Sequence, residues 1–564
     1  MNDTPWVKSY PAPARWDAPL ALGPVYGILD KAAQRFADRP AVEFMGRRAT
    51  YRQLHALANR AAKGFQQLGV RPGVHVGLYL PNTPHYFVAF FGVLKAGGAV
   101  VNYSPLDAAQ VLAHKVEDSE TQILVTLDLP MLLPQMEALV GHAGLKTLVV
   151  GGLEDLGGFP DFAGLTGGAA PDANGRVSFQ ALVANDGAYE QQPFGDPADT
   201  IAVLQYTGGT TGLPKGAMLT HANLTAAMSQ YMETTRLDPP VLIPGEERCL
   251  LVLPLFHIYS LSACMLLCME LGAESVIHIR FDLDAVINDL AAKKITIFMG
   301  VPTMYTALLA HPSLGELDLT ALKYCASGGA PLPVEVQNQF RAVTGAEVNE
   351  GWGMTETSPS GTFTPMRGMR KGGSCGIPVP RVMLKFASVT DPNEYVALGE
   401  RGEICIQGPN VMKGYWKNPQ ATADSMTPDG FFRTGDVAYM DDDGFVFIVD
   451  RIKDMLLCGG FNVYPRNIEE AIYTHPDVAE VSVIGIPDEY RGQSPKAFIA
   501  LKKGAREFSL ADLKEFLKDK LGKHEMVGVV EFREALPKTA VGKILKTALY
   551  EDEAKRRAGE TAPV

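Results

Sequence analysis

At 564 residues the chain is too long for one core and calls for at least two domains. Its composition is that of a globular protein, 46% hydrophobic and 20% charged. A net charge of −12 argues against nucleic acid as the main partner, because a phosphate backbone calls for a basic face.

The amino-terminal "MNDTPWVKSYPAPARWDAPL" has no apolar run behind a basic start and does not read as a signal peptide. "TYRQLHALANRAAKGFQQLG" predicts a helix capped by Thr50, with Gln53 completing a capping box and Gly69 ending it. Leu54, Leu57, Ala58, Ala61, Phe65 and Leu68 share one face. "VHVGLYLPN" predicts a strand, and "YFVAFFGVLKAGGAVVNYSP" a helix, a glycine turn and a strand. The alternation continues through "ITIFMGVP" and "LKYCASGGAPLP" and points to an α/β fold with substantially parallel sheet. The Gly-, Pro- and Asp-rich residues 151–198 read as a long surface connection inside the large domain. Between Arg248 and Glu270 only His257 interrupts an uncharged run long enough to span a membrane. Pro254 and His257 favour a buried strand, a loop and a buried helix there instead.

"MDDDGFVFIVD" predicts a hairpin turning at Asp443-Gly444, and a domain boundary is expected at Asp450. Residues 1–450 would form the large domain and 451–564 a small α+β domain. In the latter, "VAEVSVIGIPD", "KAFIALKKG" and "VGVVEF" read as strands, and "SLADLKEFLKDKLG" as a helix capped by Ser509 with Asp512 three residues on. Seven scattered cysteines without a CxxC pair indicate neither zinc nor disulfides, and suggest a reducing, cytoplasmic setting. Peripheral attraction to a membrane through an apolar ligand stays open, as do monomer and homodimer.

"YTGGTTGLPKGAMLTH" is the most telling stretch. It fails the Walker pattern GxxxxGK[ST], and its flanks "IAVLQY" and "AMLT" are both strand-like, so the loop joins two strands. Glycines let backbone amides approach an anion closely. Thr207, Thr210 and Thr211 add hydroxyl donors and Lys215 a mobile charge. Composition alone leaves two readings, a grip on the outer phosphates of a nucleotide or a plain glycine hairpin.

Here the sequence resembles the acyl-adenylate-forming enzymes: acyl-CoA synthetases, adenylation domains and firefly-type luciferases. The likeness runs over nearly the whole chain, with motifs in the family's order: "SGGAPL", "EGWGMTETSP", "GEICIQGPNVMKGYW", "FRTGD", "DRIKDMLLCGGFNVYP" and "PKTAVGK". "PWVKSYP", "VLKAGGAVVNYSPL" and "LPLFHIYSL" are most similar to the bacterial long-chain fatty acid–CoA ligases.

The resemblance implies a large multi-subdomain adenylate-forming domain and a small mobile carboxy-terminal one. It implies ATP, Mg²⁺ and coenzyme A, with a carboxylate activated as acyl-AMP and then passed to the CoA thiol. On that reading Thr207, Gly208, Gly209, Thr210, Thr211 and Lys215 grip the β- and γ-phosphates. Gly328, Gly329 and Ala330 form the adenine-side loop, and Gly351, Trp352, Gly353 and Met354 its partner. Trp352 stands where the family usually has a stacking tyrosine. Thr355 contacts the α-phosphate, and Glu356 and Thr211 help hold Mg²⁺. Asp436 and Arg451 take the ribose. Lys453 is the hinge, Gly459 and Gly460 approach the pantetheine chain, and His257 and Tyr259 line the acyl pocket. Lys543 reaches the substrate carboxylate and α-phosphate, where a cation offsets charge in a dry site. It looks exposed, so an enzyme that acylates lysine would silence it. Lys546 stands where arginine is common. Dicarboxylic or aromatic acids, loading of a carrier protein, and a catalytically silent acyl- or nucleotide-binding regulator remain alternatives.

Overall fold

The computed structural model describes residues 4–155, 169–207, 214–539 and 542–557. Among these, two seven-stranded sheets dominate the amino-terminal portion, each largely parallel with an antiparallel pair at one edge. The first sheet takes its centre from His75–Leu78, Ala99–Asn102 and Thr121–Leu127 and ends on the hairpin Ile201–Thr207 and Lys215–Thr220. The second runs through Arg248–Leu251, Ile297–Gly300, Tyr324–Ser327 and Val348–Glu350. One continuous apolar core, reaching from Trp6 to Val446, joins the two.

Local sequence accounts for much of this. Thr50 caps the helix Tyr51–Gln67 through a reciprocal capping box with Gln53, and that helix buries Leu54, Leu57, Ala58, Ala61 and Phe65. Gly69 follows at φ +90°, a left-handed conformation that suits glycine and stops the helix. The helix Pro84–Lys95 is buried along its whole length, so its sequence shows no amphipathic stripe. The apolar run after Arg248 resolves into the strand Arg248–Leu251, a loop, a π-helical turn Ser260–Leu266 and the short helix Leu267–Leu271. Among the described residues no helix is long and apolar enough to cross a membrane.

One expectation needs correcting. Within 151–198, Arg176–Ser178 adds a strand to the edge of the first sheet, and the helix Phe179–Val183 buries Phe179, Leu182 and Val183. The polar composition masked a short helix that packs against Tyr51–Gln67, with Leu182 on Gly64 and Phe179 edge-on to His85. Residues 156–168 lie outside the described set.

A four-stranded antiparallel sheet, Met383–Ala387, Gly402–Gln407, Phe432–Met440 and Val446–Arg451, precedes the small domain. Its last hairpin turns at Gly444, φ +82°. Beyond it the chain has cores of its own, built from Leu456 to Leu549 around the strand pair Val478–Asp488 and Gly492–Leu501. Ser509 and Asp512 cap the helix Leu510–Leu517 reciprocally. The strand Val446–Arg451 runs one residue past Asp450, and a junction cluster of Val437, Val449 and Tyr464 straddles that point.

Candidate active site

The second sheet's strands deliver the site at their carboxyl ends, where open α/β sheets leave a crevice. Tyr324–Ser327 leads into Gly328, Gly329 and Ala330; Val348–Glu350 leads into Gly351, Trp352, Gly353 and Met354. Close approach demands glycine at 353. A Cβ on Gly353 would lie 1.5 Å from the Pro359 carbonyl oxygen, which no rearrangement of a side chain relieves. Thr355–Thr357 forms a short 3₁₀ turn that buries Glu356.

Two carboxylates flank this floor. Asp436, only 5% exposed, has one oxygen on the Trp352 indole N–H at 2.8 Å and the other on Arg451 Nε at 3.0 Å. Glu356 accepts the Tyr415 hydroxyl at 2.9 Å, and among the described residues no ion pair reaches it. Burial, ahead of the opposing hydrogen bonds from its own backbone and Tyr415, raises its pKa. A buried carboxylate without a cation fits Mg²⁺ arriving on a polyphosphate, since Mg²⁺ takes few protein ligands beside phosphate oxygens and water. Among the described residues no cluster of three or more His, Cys, Asp or Glu could hold a metal by itself.

Tyr415 also ties this carboxylate to the glycine-rich hairpin. Lys215 Nζ lies 5.0 Å from the Tyr415 ring centroid, and Trp416 N–H donates to Gly216 O at 2.7 Å. Thr207 and Lys215 face one another in register where the two strands enter and leave the loop. Gly208, Gly209, Thr210 and Thr211 lie outside the described residues.

Lys543 reaches this floor from the other end of the chain. A Cβ on Gly329 would meet Lys543 Cε at 3.0 Å, so the lysine stem lies directly over the loop that follows Tyr324–Ser327. The preceding Gly542, φ +77°, accepts from Thr303 Oγ1 at 2.9 Å, which fastens the loop to the large domain. The loop pattern made Lys543 look exposed; the structure half-buries it, because Thr303 and Gly329 receive it. Burial first, then the Arg451 charge, lower its pKa to about 8, with Asp436 opposing.

His257 and Tyr259 stand beside it. Burial, followed by the Lys543 charge, drives His257 down to about 3, so this imidazole is neutral at any working pH. The Tyr259 ring packs within 3.0 Å of where a Gly328 Cβ would stand, bringing the expected acyl wall against the adenine-side loop. Buried amides hold the intervening segment. Asn82 donates to Leu253 O at 3.0 Å and accepts from Leu255 N at 2.8 Å; Gln205 donates to Phe256 O at 3.0 Å.

With this geometry in view, similarity to known proteins decides the family. AMP-binding enzymes match residues 29–416, and the AMP-binding enzyme C-terminal domain matches residues 467–543. The chain belongs to the AMP-binding enzyme family. It is 38% identical to a long-chain-fatty-acid–CoA ligase of Bacillus subtilis, over 98% of this chain and 99% of that one. Among solved structures it resembles ATP-bound MatB from Rhodopseudomonas palustris, with TM-score 0.83, 30% identity, and 94% and 99% of the two chains covered. An anthranilate CoA ligase in complex with anthranoyl-AMP superposes with TM-score 0.84 at 27% identity, over 96% and 99% of the chains.

In this AMP-binding enzyme the remaining expected residues do not join the floor. Gly459 and Gly460 occupy a hairpin with positive φ, +60° and +84°, and nothing stands within 4 Å of either Cβ position. Their glycines answer to the turn in this arrangement, not to a close neighbour. Lys453 lies in the 3₁₀ turn Ile452–Asp454, directly after the last strand of the four-stranded sheet. Lys546 pairs with Glu469 at 3.0 Å and so ties the carboxy-terminal helix to Pro465–Tyr473. Sequence reasoning missed Tyr415, Thr303, Asn82 and Gln205. Tyr415 stood inside the quoted "GEICIQGPNVMKGYW", Asn82 inside "VHVGLYLPN" and Gln205 inside "IAVLQY"; all four act only through the partners the fold gives them.

Proposed function

We propose that this enzyme is an AMP-forming fatty acid–CoA ligase acting on medium- to long-chain acids with Mg²⁺-ATP. The observation that carries the reading is Lys543, set over Gly329 between the His257–Tyr259 wall and the Asp436–Arg451 pair. It brings one cation to the junction of an acid pocket and a nucleotide pocket. In the first step a carboxylate oxygen attacks the α-phosphorus while the bond to the β-phosphate breaks. Lys543 offsets the charge gathered there, and Thr355 donates to the α-phosphate. Glu356 and Thr211 would hold Mg²⁺, which neutralises charge on the departing pyrophosphate. Thr207, Gly208, Gly209, Thr210 and Lys215 grip its outer phosphates. The neutral His257 shapes the pocket and brings no charge to it.

In the second step the CoA sulfur attacks the acyl carbon, AMP leaves, and the thiol proton passes to solvent. For that step the small domain, taken as 451–564, turns about Lys453 and brings Gly459 and Gly460 to the pantetheine chain. The same turn would uncover Lys543 to an acylating enzyme. Peripheral membrane contact through the fatty acid, and a monomer or homodimer, belong to this reading.

The test is to follow pyrophosphate and AMP release from ATP and Mg²⁺ with fatty, dicarboxylic and aromatic acids, with and without CoA. Acid-dependent pyrophosphate with CoA-dependent turnover, strongest on fatty acids of medium to long chain, is the expected result. Pyrophosphate without CoA turnover would favour carrier loading, and no pyrophosphate from any acid a silent binder.

A further inference from the structure

We infer that Trp352 is a positioning residue for the nucleotide's ribose. Its indole N–H, beyond the ring face it offers to adenine, holds Asp436 aimed at the sugar hydroxyls while the small domain moves. The inference rests on the adenylate-forming reading above.

An indole N–H can only donate, and here it donates to Asp436 Oδ2 at 2.8 Å. The ring has little freedom to turn away. Trp352 N donates to Thr362 Oγ1 at 3.1 Å, and Thr362 N returns a bond to Trp352 O at 2.9 Å. The six-membered edge lies on Gly361, whose Cβ position is 2.5 Å from Trp352 Cε3. Backbone and ring therefore fix the direction of the N–H. Asp436 is held on its own side by a backbone N–H to Thr434 Oγ1 at 3.1 Å.

The two donors on Asp436 differ in what they are attached to. Arg451, its side chain 51% exposed, immediately precedes the turn Ile452–Asp454, so its pairing with Asp436 Oδ1 is the one a rotation of the small domain would disturb. Trp352 packs against the large core, as does the sheet that carries Asp436. Its bond persists through the rotation. A carboxylate has about four lone-pair sites, so one donor on each oxygen leaves room for both ribose hydroxyls. A phenylalanine would keep the ring face and leave one oxygen of a buried carboxylate without its donor.

The experiment measures equilibrium binding of ATP, 2′-deoxyATP and 3′-deoxyATP to the full chain by calorimetry. It compares the native protein, Trp352→Phe and Trp352→His, with thermal melts to confirm folding. Loss of a hydrogen bond to a charged acceptor predicts that Trp352→Phe weakens ATP about tenfold and the deoxy analogues much less, so the preference for ribose shrinks by a similar factor. Trp352→His, whose ring N–H can donate, regains part of that preference. An unchanged ribose preference in Trp352→Phe, or none in the native protein, overturns the inference and leaves Trp352 a stacking platform. Should Trp352→Phe not fold, the histidine variant carries the test: a ribose preference wholly lost despite a donor ring counts against the inference. Acid-dependent pyrophosphate release in the same preparations reports on the ligase reading separately, since binding does not require the acid.

Discussion

The floor around Trp352 and the Gly459–Gly460 hairpin are both written in glycine, for opposite reasons. On the floor, Gly353 faces a carbonyl oxygen 1.5 Å from its Cβ position, and Gly361 lies under the Trp352 ring, whose Cε3 is 2.5 Å from its Cβ position. These glycines are demanded by neighbours already in place. The hairpin glycines have positive φ and open space, and around them Leu457 and Phe461 are 56% and 59% exposed, with Tyr490 at 96%. One region is assembled; the other presents apolar side chains to solvent. A two-step reaction with a rotating small domain would have one face in use at a time, and in this arrangement it is Lys543 that is seated on the floor.

That comparison is breakable at its strongest point first. Lys543→Ala should lower acid-dependent pyrophosphate release by roughly 10²–10³-fold, the scale of losing one charge-stabilising group. It should leave the reaction of preformed acyl-AMP with CoA close to native. Equal loss of both half-reactions would contradict the assignment of Lys543 to one step.

Gly361→Ala comes next. The added methyl must displace the Trp352 ring, and we expect KM for ATP to rise by about tenfold or more, since positioning errors near 1 Å are costly. An unchanged KM for ATP would mean that the ring can settle elsewhere without consequence.

Gly460→Ala sharpens the contrast from the other side. A left-handed φ strains alanine by about 1 kcal/mol, and the new methyl meets nothing in this arrangement. Adenylate formation should stay within about twofold, while transfer to CoA slows by about fivefold or more. A larger effect on adenylation than on transfer would place the hairpin on the wrong step.

The smallest effect is in pH. Burial, then the Arg451 charge, pull the Lys543 pKa down to about 8, and the proposed role calls for its cation. Its contribution is present below that value and lost as pH rises through it. The kcat/KM for ATP in pyrophosphate release should fall toward tenfold per unit above about pH 8. A profile flat to pH 9.5 would show that the lysine keeps its proton there.

How much of this was legible beforehand follows from where each property resides. Capping residues, glycine turns and apolar periodicity act within a few residues of themselves, so Thr50–Gln53, Ser509–Asp512 and the turn at Gly444 were readable directly. The motifs carrying Asp436, Glu356 and Lys543 were readable through resemblance. The helix Phe179–Val183 was not, because its flanks are polar and only the partner helix explains its burial.

The α/β alternation and the family follow from local order along the chain, as do the motifs from which the candidate site residues were chosen. That Lys543 lies over Gly329 some two hundred positions away, and that Tyr415 joins Glu356 to the Lys215 hairpin, comes from the folded packing alone. That packing also decided that Trp352 donates to Asp436. Those pairings are matters of distance and direction between remote segments, set by the joint packing of two sheets and a small domain, and no local pattern encodes them.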